Sequence, residues 1–346
     1  MITQIKLKSF RCFNTLALDV SNSLVVLSGK NATGKTSVLE ALYLCSTGKS
    51  PRTNDLETVI HKEEPFSIID INADKKYKYV IGKDSRSVFI NKNEIKRVSD
   101  FVGNLSVVLY SPDDISLVKG SKADKRRFLD MEISLLDKRY LKSLNTYKKL
   151  ILERNEVLKN KDADLTMLDV LTKSIAEYTS LIYEKRISFI KRINELLKNI
   201  TLNLKTENIR LIYKSTYNPS NILDSFKKHE KNDFLMKSTG IGCHRDDFII
   251  EMDGLDAKEY ASEGQSRLIC IVIKLALKEY IKEVSGKNPI LLLDDVFAAL
   301  DKTRIASLVK YIENSYQTFI TTTSVMEIPD ELLKNALVIR LEKKER

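Results

Sequence analysis

Residues 24–46 read LVVLSGKNATGKTSVLEALYLCS. The apolar run Leu24-Val25-Val26-Leu27 has the composition of a buried strand. It is followed by Gly29-Lys30-Asn31-Ala32-Thr33-Gly34-Lys35-Thr36, which fits GxxxxGK[ST], and then by a helical stretch. Strand, glycine-rich loop and helix in this order make a phosphate cradle. Gly29 and Gly34 let the backbone curl so that successive N–H groups face inward, at a helix start already biased toward anions. Lys35 is expected to reach β- and γ-phosphates, and Thr36 to offer its hydroxyl to Mg²⁺. A plain glycine turn between strand and helix would not need the Lys-Thr pair.

A second half-site lies near the other end of the chain. Residues 290–295 read Ile-Leu-Leu-Leu-Asp-Asp, an apolar strand ending in two carboxylates. In P-loop proteins such a strand joins the same sheet, and its first Asp holds Mg²⁺ directly or through water. Asp294 takes that place, and Asp295 is positioned to orient or deprotonate an attacking water. A buried strand ending in a helix-capping Asp reads the same in isolation; the upstream P-loop favours the functional reading. Between the two stands Tyr260-Ala261-Ser262-Glu263-Gly264-Gln265, opening a helix over 265–284 with an apolar face of Leu268, Ile271, Val272, Leu275 and Ile281. Ser262 and Gln265 fit an N-terminal capping box, S-x-x-Q, which suffices as a local explanation. The same donor-rich helix start is also suited to an anion.

The remaining composition is that of an ordinary globular protein of 346 residues, 43% hydrophobic and 30% charged. At one domain per ~150 residues, about two domains are expected. No stretch approaches the ~20 apolar residues of a bilayer crossing. The first ten residues, MITQIKLKSF, lack the apolar run of a signal peptide. A cytoplasmic chain without a membrane partner is expected. Cysteines 12, 45, 243 and 270 form no CxxC pair and only three His are present, which argues against structural zinc and a disulfide framework. The formal charge of +10 fits a solvated surface as well as a nucleic-acid or acidic-membrane partner.

Residues ~1–110 read mainly as strands, including the alternating ITQIKLKSF and a hairpin turning at 72–75 within FSIIDINADKKYKYVIG. Over 121–200 Gly and Pro vanish. One apolar stripe runs through Tyr140, Leu141, Leu144, Tyr147, Ile151 and Leu158. After the polar stretch 160–164 a second runs through Leu168, Leu171, Ile175, Tyr178, Ile182, Phe189, Ile193 and Leu196. The spacing predicts two long antiparallel helices, the second of about 35 residues and ~50 Å. The tyrosines and Phe189 read as seam packing. This stretch holds 18 Lys plus Arg against 12 Asp plus Glu, so more than half of the charge excess lies in it.

Ser-x-Gly-Gln at a helix start, upstream of an Asp-Asp strand, is similar to the signature motif of the ABC-type ATPases, and Ala298-Ala299-Leu300-Asp301 to their D-loop. The resemblance implies ATP as the nucleotide and an ATP-dependent homodimer. The Ser262 hydroxyl, the Gly264 N–H and the helix start at Gln265 would grip the γ-phosphate bound by the other subunit's P-loop. Ser262 follows Gly34 by more than two hundred residues, farther than in transporter subunits. The insert is the helical hairpin, as in chromosome-maintenance and repair ATPases but much shorter.

Three further stretches narrow the family. Pro112-Asp113, Gly120-Ser121 and Lys125-Arg126-Arg127-Phe128-Leu129-Asp130 resemble a Pro-acidic, Gly, Arg-Arg-x-Phe-Leu-Asp series. Gly242-Cys243-His244-Arg245-Asp246-Asp247 resembles a Gly-Pro-His-Arg-Asp-Asp element, and KLKSFRCFNTLAL at 6–18 an opening strand with Phe-Arg-Asn. On these residues the chain is identified, over its whole length, as a member of the RecF family of bacterial recombination proteins. Cys12, Lys122, Lys125 and Cys243 depart from the family pattern at positions that touch loop rigidity more than phosphate contact. Asp295 stands where transporter ATPases have Glu, and no His follows the last strand, read as ending in Thr321-Thr322-Thr323. Both features imply the modest hydrolysis of a timed clamp.

The implied fold is α/β: an ABC-type, SMC-like P-loop ATPase head with a second, mainly helical lobe containing a short antiparallel hairpin. Lobe I is expected at ~1–110 and ~285–346, lobe II at ~111–284. Family resemblance further implies recombinational repair of gapped DNA, binding at single-strand/duplex junctions, work with RecR and RecO, and links to fork recovery and the SOS response. Lys122, Lys125, Arg126 and Arg127 form the expected DNA-contacting cluster, and Arg11 is a candidate to reach nucleotide or DNA. His244-Arg245 reads either as a strand-end ion pair with Asp246 or Asp247 or as a contact at the lobe interface. His61 and His229 read as surface residues. A chromosome-organising ATPase head is the alternative, disfavoured by the absence of long heptad arms. A transporter subunit is disfavoured by the long insert and the missing histidine.

Overall fold

The computed structural model describes residues 1–160, 162, 164–297, 300, 302–313 and 316–342, with the side chains of residues 302 and 313 also left aside. The chain opens with β1 Gln4–Phe10, β2 Phe13–Asp19, β3 Leu24–Ser28, α1 Lys35–Thr47, β4 Phe66–Asn72, β5 Lys76–Gly82, β6 Arg86–Ile90, β7 Asn93–Ile95, α2 Val98–Phe101 and β8 Val107–Tyr110. It continues through α3 Ser116–Lys119, α4 Lys122–Leu136, α5 Lys138–Lys159, α6 Leu165–Leu204, β9 Ile209–Lys214, α7 Ile222–Met236, β10 Asp247–Met252, β11 Leu255–Asp256, α8 Ala257–Tyr260 and α9 Glu263–Ser285. It closes with β12 Ile290–Leu293, α10 Lys302–Glu313, β13 Thr318–Thr322, α11 Asp330–Leu333 and β14 Leu337–Arg340. Two compact units result, one of Met1–Asp114, Leu202–Thr206 and Cys270–Arg346, the other of Ile115–Thr201 and Glu207–Ile269.

The first unit holds two sheets. Five parallel strands lie in the order β14-β3-β13-β12-β8. β3, β8, β12 and β13 are buried at every position; β3, β8 and β12 are accordingly rich in Val, Leu and Ile, whereas β13 is Thr-Phe-Ile-Thr-Thr. Six antiparallel strands lie in the order β2-β1-β4-β5-β6-β7. The expected hairpin is present, with Asn72 paired to Lys76 at the turn, and its strands bury alternate residues.

α1 packs against strands of both sheets, and every residue from Ser37 to Thr47 is buried. A helix enclosed on all sides needs no polar face. Its one buried charge, Glu40, is paired with Arg11 at 2.5 Å and accepts from the Ser50 hydroxyl at 2.5 Å. β13 is not the last strand. β14 follows it and pairs with β3; it is a half-buried, four-residue edge strand, Leu-Val-Ile-Arg, too short to stand out in the sequence.

In the second unit the helical stretch is antiparallel as expected. Arg154, late in α5, donates to Thr172, early in α6, at 3.0 Å, whereas Tyr140, early in α5, meets Arg186 in the later part of α6 at 3.1 Å. Tyr140, Tyr147 and Phe189 are buried in the seam, while Tyr178 is half-buried. Two details differ. α6 has 40 residues, about 60 Å of helix. The first helix is interrupted at Asp137, whose carboxylate accepts from the N–H groups of Arg139 and Tyr140 and so starts α5 as a new helix. Of the polar stretch between the hairpin helices, residues 161 and 163 lie outside the described residues. Strand β9 and helix α7, absent from the sequence reading, complete this unit with a three-stranded sheet in the order β11-β10-β9.

Two arginines run through this seam fully buried. Arg154 donates to Asp233 at 2.7 Å and to Thr239 at 2.8 Å. Arg186 donates to Asp130 at 2.7 Å, to the Cys243 carbonyl at 2.8 Å and to the Tyr213 hydroxyl at 3.0 Å. Among the described residues no helix is long and apolar enough to cross a membrane.

Removing one member of a buried ion pair strands the other charge. Arg154→Met is expected to lower stability by about 3–5 kcal/mol, and Arg154→Met with Asp233→Leu by less than the single change. Denaturant unfolding followed by tyrosine absorbance, in a chain with no Trp, checks the order; additive losses would contradict it.

Candidate functional site

The P-loop forms at the end of β3 in the first unit. The Gly29 N–H donates to the Thr322 carbonyl at 3.3 Å, and a Cβ on Gly29 would strike the carbonyl oxygen of Leu341. Gly34 has φ +96 and is the N-cap of α1; a Cβ there would run into the Phe13 ring and the Cys12 sulfur. Both glycines are thus demanded by close approach, and Gly34 also by its left-handed backbone. The Thr33 hydroxyl closes the loop onto the Lys30 carbonyl at 2.9 Å, while Lys30, Asn31 and Ala32 are exposed. The Lys35 ammonium donates to the carbonyls of Gly29 at 2.6 Å and Lys30 at 3.0 Å, so its charge is held over the loop.

β12 and β3 flank β13 in one parallel sheet, so their C-terminal ends share an edge, where ligands of open α/β sheets bind. Asp294 sits there at 7% exposure. The Thr36 hydroxyl lies 3.0 Å from both of its carboxylate oxygens, and the Thr321 hydroxyl donates to Oδ1 at 2.6 Å. Thr321 also accepts from the Asp295 N–H at 3.0 Å. Asp295 has φ +50, a strained conformation for Asp of the kind that gathers at functional sites. Thr321 is a functional neighbour of Asp294 that the sequence reading does not include among the site residues. Its signal was a hydroxyl near the end of a buried strand.

The Thr36 hydroxyl and Asp294 carboxylate suit a hard cation. Two neighbouring ligands of an octahedral Mg²⁺ at ~2.1 Å lie about 3.0 Å apart, which is their separation. Among the described residues no group of three or more His, Cys, Asp and Glu could hold a metal, so the remaining ligands would come from phosphate and water.

Ser262, Gly264 and Gln265 belong to the second unit. The Ser262 N–H donates to Gln265 Oε1 at 2.9 Å and the Gln265 N–H to Ser262 Oγ at 3.2 Å, which is the expected capping box. Gln265 Nε2 donates to Glu207 at 3.2 Å. Ser262 and Gly264 are exposed, and nothing lies within 4 Å of a Cβ built on Gly264. The helix start is therefore open to solvent and to whatever docks there. Of the D-loop residues, 298, 299 and 301 lie outside the described residues.

Several expectations are corrected. Lys125 is not available to DNA. It is 5% exposed, donates to the Phe248 carbonyl at 2.9 Å, lies 3.8 Å from Asp247 and stands over the Phe248 ring. Arg126 is half-buried and donates to the Asp246 carbonyl at 2.8 Å. Only Lys122 and Arg127 of that cluster are exposed, because a helix packed on one side cannot present four near-consecutive residues outward. Arg11 is committed to Glu40 and to the Thr58 carbonyl.

His244 makes no ion pair with Asp246 or Asp247. Its Nε2 contacts the Thr239 carbonyl at 3.0 Å and its Nδ1 the Tyr147 hydroxyl at 2.7 Å. Burial pushes it down to about 4, so it is neutral near pH 7. Asp246 instead accepts from Tyr213 at 2.5 Å, Tyr217 at 2.9 Å and Thr216 at 3.1 Å. His61 and His229 are half-buried rather than surface residues, meeting the Arg11 carbonyl at 2.6 Å and Asp233 at 3.0 Å.

Burial raises the Asp294 carboxyl above its ordinary value. The Thr321 and Thr36 hydroxyls oppose this, Asp295 adds to it and Lys35 opposes it. As pH rises from the ordinary carboxylate value to the raised one, the unfolded chain ionises first, so the folded state loses relative stability over that window. Asp294→Asn is expected to raise the melting temperature of the nucleotide-free protein at pH 7, with the gain shrinking toward pH ~4. Equal melting temperatures at pH 7 would contradict this.

Residues 1–340 match the family described as RecF/RecN/SMC N terminal domain. The DNA replication and repair protein RecF of Acholeplasma laidlawii is 38% identical over 325 residues, 93% of each chain. That of Clostridium perfringens is 37% identical over 353 residues, 98% of each chain. The solved structure of the recombination mediator protein RecF with ATP in the RecFOR pathway superposes with a TM-score of 0.88 at 26% identity, over 99% of this chain and 96% of that one. A Smc head domain from Pyrococcus furiosus, bound to the C-terminal domain of ScpA, gives 0.56 at 16% identity, over 99% of this chain and 94% of that one, a likeness of fold alone. With an ABC-type, SMC-like head fold and relatives matched over nearly its full length, the chain belongs to the RecF family of DNA replication and repair proteins.

Proposed function

We propose that this chain is a cytoplasmic ATPase that closes as a homodimer on DNA during recombinational repair and replication-fork recovery, and opens again on slow hydrolysis. The observation that carries the reading is the meeting of Thr36 and Asp294, 258 residues apart in sequence, beside a P-loop whose lysine is already poised. In this reading the P-loop amides from Gly29 to Thr36 cradle the phosphates, and Lys35 exchanges the two loop carbonyls for β- and γ-phosphate oxygens. Thr36 and Asp294 would hold Mg²⁺, which supplies charge neutralisation to the phosphates. Asp295, fixed through its N–H by Thr321, orients the attacking water and receives its proton.

The proposed lobes are an ATPase lobe, ~1–110 and ~285–346, and a helical lobe, ~111–284. The Ser262 hydroxyl, the Gly264 N–H and the helix start at Gln265 are the surface that meets the second subunit's γ-phosphate. Binding energy between subunits is then available only with ATP in place, and hydrolysis removes it. The structural relatives named for the RecFOR pathway support RecR and RecO as partners. DNA at single-strand/duplex junctions as ligand, stimulation of hydrolysis by DNA and support of the SOS response belong to the same proposal. A chromosome-organising head is the weaker reading: the hairpin helices have 22 and 40 residues, with no long arm between them.

Size-exclusion chromatography with ATP and DNA tests the sandwich. Wild type is expected to dimerise on DNA only with ATP, while Lys35→Met and Ser262→Arg stay monomeric. Lys35→Met should weaken nucleotide binding about 10- to 100-fold, the worth of a charge-assisted contact, and Ser262→Arg should leave it unchanged. ATP-independent dimers of all three proteins would refute the mechanism.

For DNA, Lys122→Ala with Arg127→Ala is expected to flatten the logarithmic salt dependence of binding by about two. An unchanged slope would place the DNA elsewhere.

A further inference from the structure

Ser262 is preceded by a one-turn helix, α8, and its cap residue Ala261. A single side chain takes three carbonyls of this turn, of which that of Ala257 also accepts from the Ala261 N–H at 3.1 Å. Lys119 donates to the carbonyls of Lys258 at 2.6 Å, Ala261 at 2.7 Å and Ala257 at 3.2 Å. An ammonium has three donors, and here all three are spent on backbone carbonyls of the turn that leads into Ser262. The partners lie 138 to 142 residues away in sequence, so this is a tertiary clamp and not a local cap. Positive charge at the carbonyl end of a helix is also the favourable sign.

The arm that carries Lys119 is rigid at its base. Lys119 ends α3, and the next residue, Gly120, donates its N–H to the Ser116 carbonyl at 2.9 Å. A Cβ on Gly120 would strike that same carbonyl oxygen. Ser121 then caps α4 through a reciprocal box with Asp124. On the far side of the clamp, Ala257 and Ala261 are buried, Asp256 caps α8 through the Lys258 N–H, and Gln265 is tied to Ser262 and Glu207. The backbone from 256 to 265 is thus held at both ends, while the Ser262 and Gly264 surface between them stays exposed.

We propose that Lys119 is a positioning residue for the Ser262-Glu263-Gly264-Gln265 motif. By holding the α8 carbonyls it sets where the Ser262 hydroxyl and the first amides of α9 stand, and so governs engagement of the second subunit's nucleotide. Nucleotide binding within one protomer does not depend on it. This rests on the sandwich reading above.

The test compares wild type, Lys119→Met, Lys119→Arg and Ser262→Arg in the full-length chain. Protomer affinity is read with a fluorescent ATP analogue at low protein concentration, and ATP-dependent association by analytical ultracentrifugation. Lys119→Met is expected to keep protomer affinity within about twofold while weakening association by about tenfold or more, and Lys119→Arg to recover most of the loss. Hydrogen exchange at the amides of 257–265 should rise in Lys119→Met and return in Lys119→Arg. Should Lys119→Met fold poorly, Lys119→Gln replaces it in the same comparison.

Wild-type association of Lys119→Met beside a defective Ser262→Arg would overturn the positioning role and leave the sandwich standing. Equal loss of protomer affinity and association in Lys119→Met would also overturn it, since a general structural defect does that. Wild-type association of Ser262→Arg would remove the sandwich, and the proposal with it.

Discussion

A buried carboxylate must be hydrogen-bonded or paired, and Asp294 meets that demand through two hydroxyls that the chain brings from distant places. Thr36 comes from the first turn of α1 and Thr321 from β13. They can meet because β3, β13 and β12 are parallel neighbours, so that their C-terminal ends open on one edge. The same edge explains the glycines. Gly29 is pressed by the Leu341 carbonyl and Gly34 by the Cys12–Phe13 corner, so the loop is packed from outside before any phosphate enters it. α1 lies between the two sheets with its whole circumference buried from Ser37 onward, which gives the cradle a fixed base.

The second unit shows how formal charge differs from available charge. Residues 121–200 hold more than half of the chain's positive excess, yet Lys125, Arg154 and Arg186 are buried and committed to carboxylates and carbonyls. These cations specify how α4, α5 and α6 meet the β9–β10 sheet and α7. Long basic side chains can serve a seam in this way because their stems are apolar and their donors numerous. What reaches solvent from the basic cluster is Lys122 and Arg127. The available positive surface of this stretch is correspondingly smaller than a count of residues suggests.

At the start of α9 one set of hydrogen bonds serves two purposes. The reciprocal bonds of Ser262 and Gln265 cap the first turn of the helix, and the same geometry leaves Ser262 and Gly264 exposed. Structural capping is therefore compatible with the anion contact proposed for this helix start, since both use amides left unsatisfied by the helix itself. Lys119 and Glu207 hold that start from either side.

Contiguous pattern was legible in the sequence, and with it the family. The P-loop, the Asp294-Asp295 strand end, the Ser262–Gln265 box, the β4–β5 hairpin and the antiparallel seam each depend on spacing within a short window, where local backbone geometry fixes which residues face together. The tertiary structure decided the rest, because it depended on residues far apart in sequence. It placed Thr321 on Asp294 and Lys119 under Ser262, buried Lys125, turned His244 to Tyr147 and Thr239 in place of an ion pair, and added β14 beside β3. A lysine on a helix reads alike whether it faces water or a carbonyl, and only packing against the other elements separates the two.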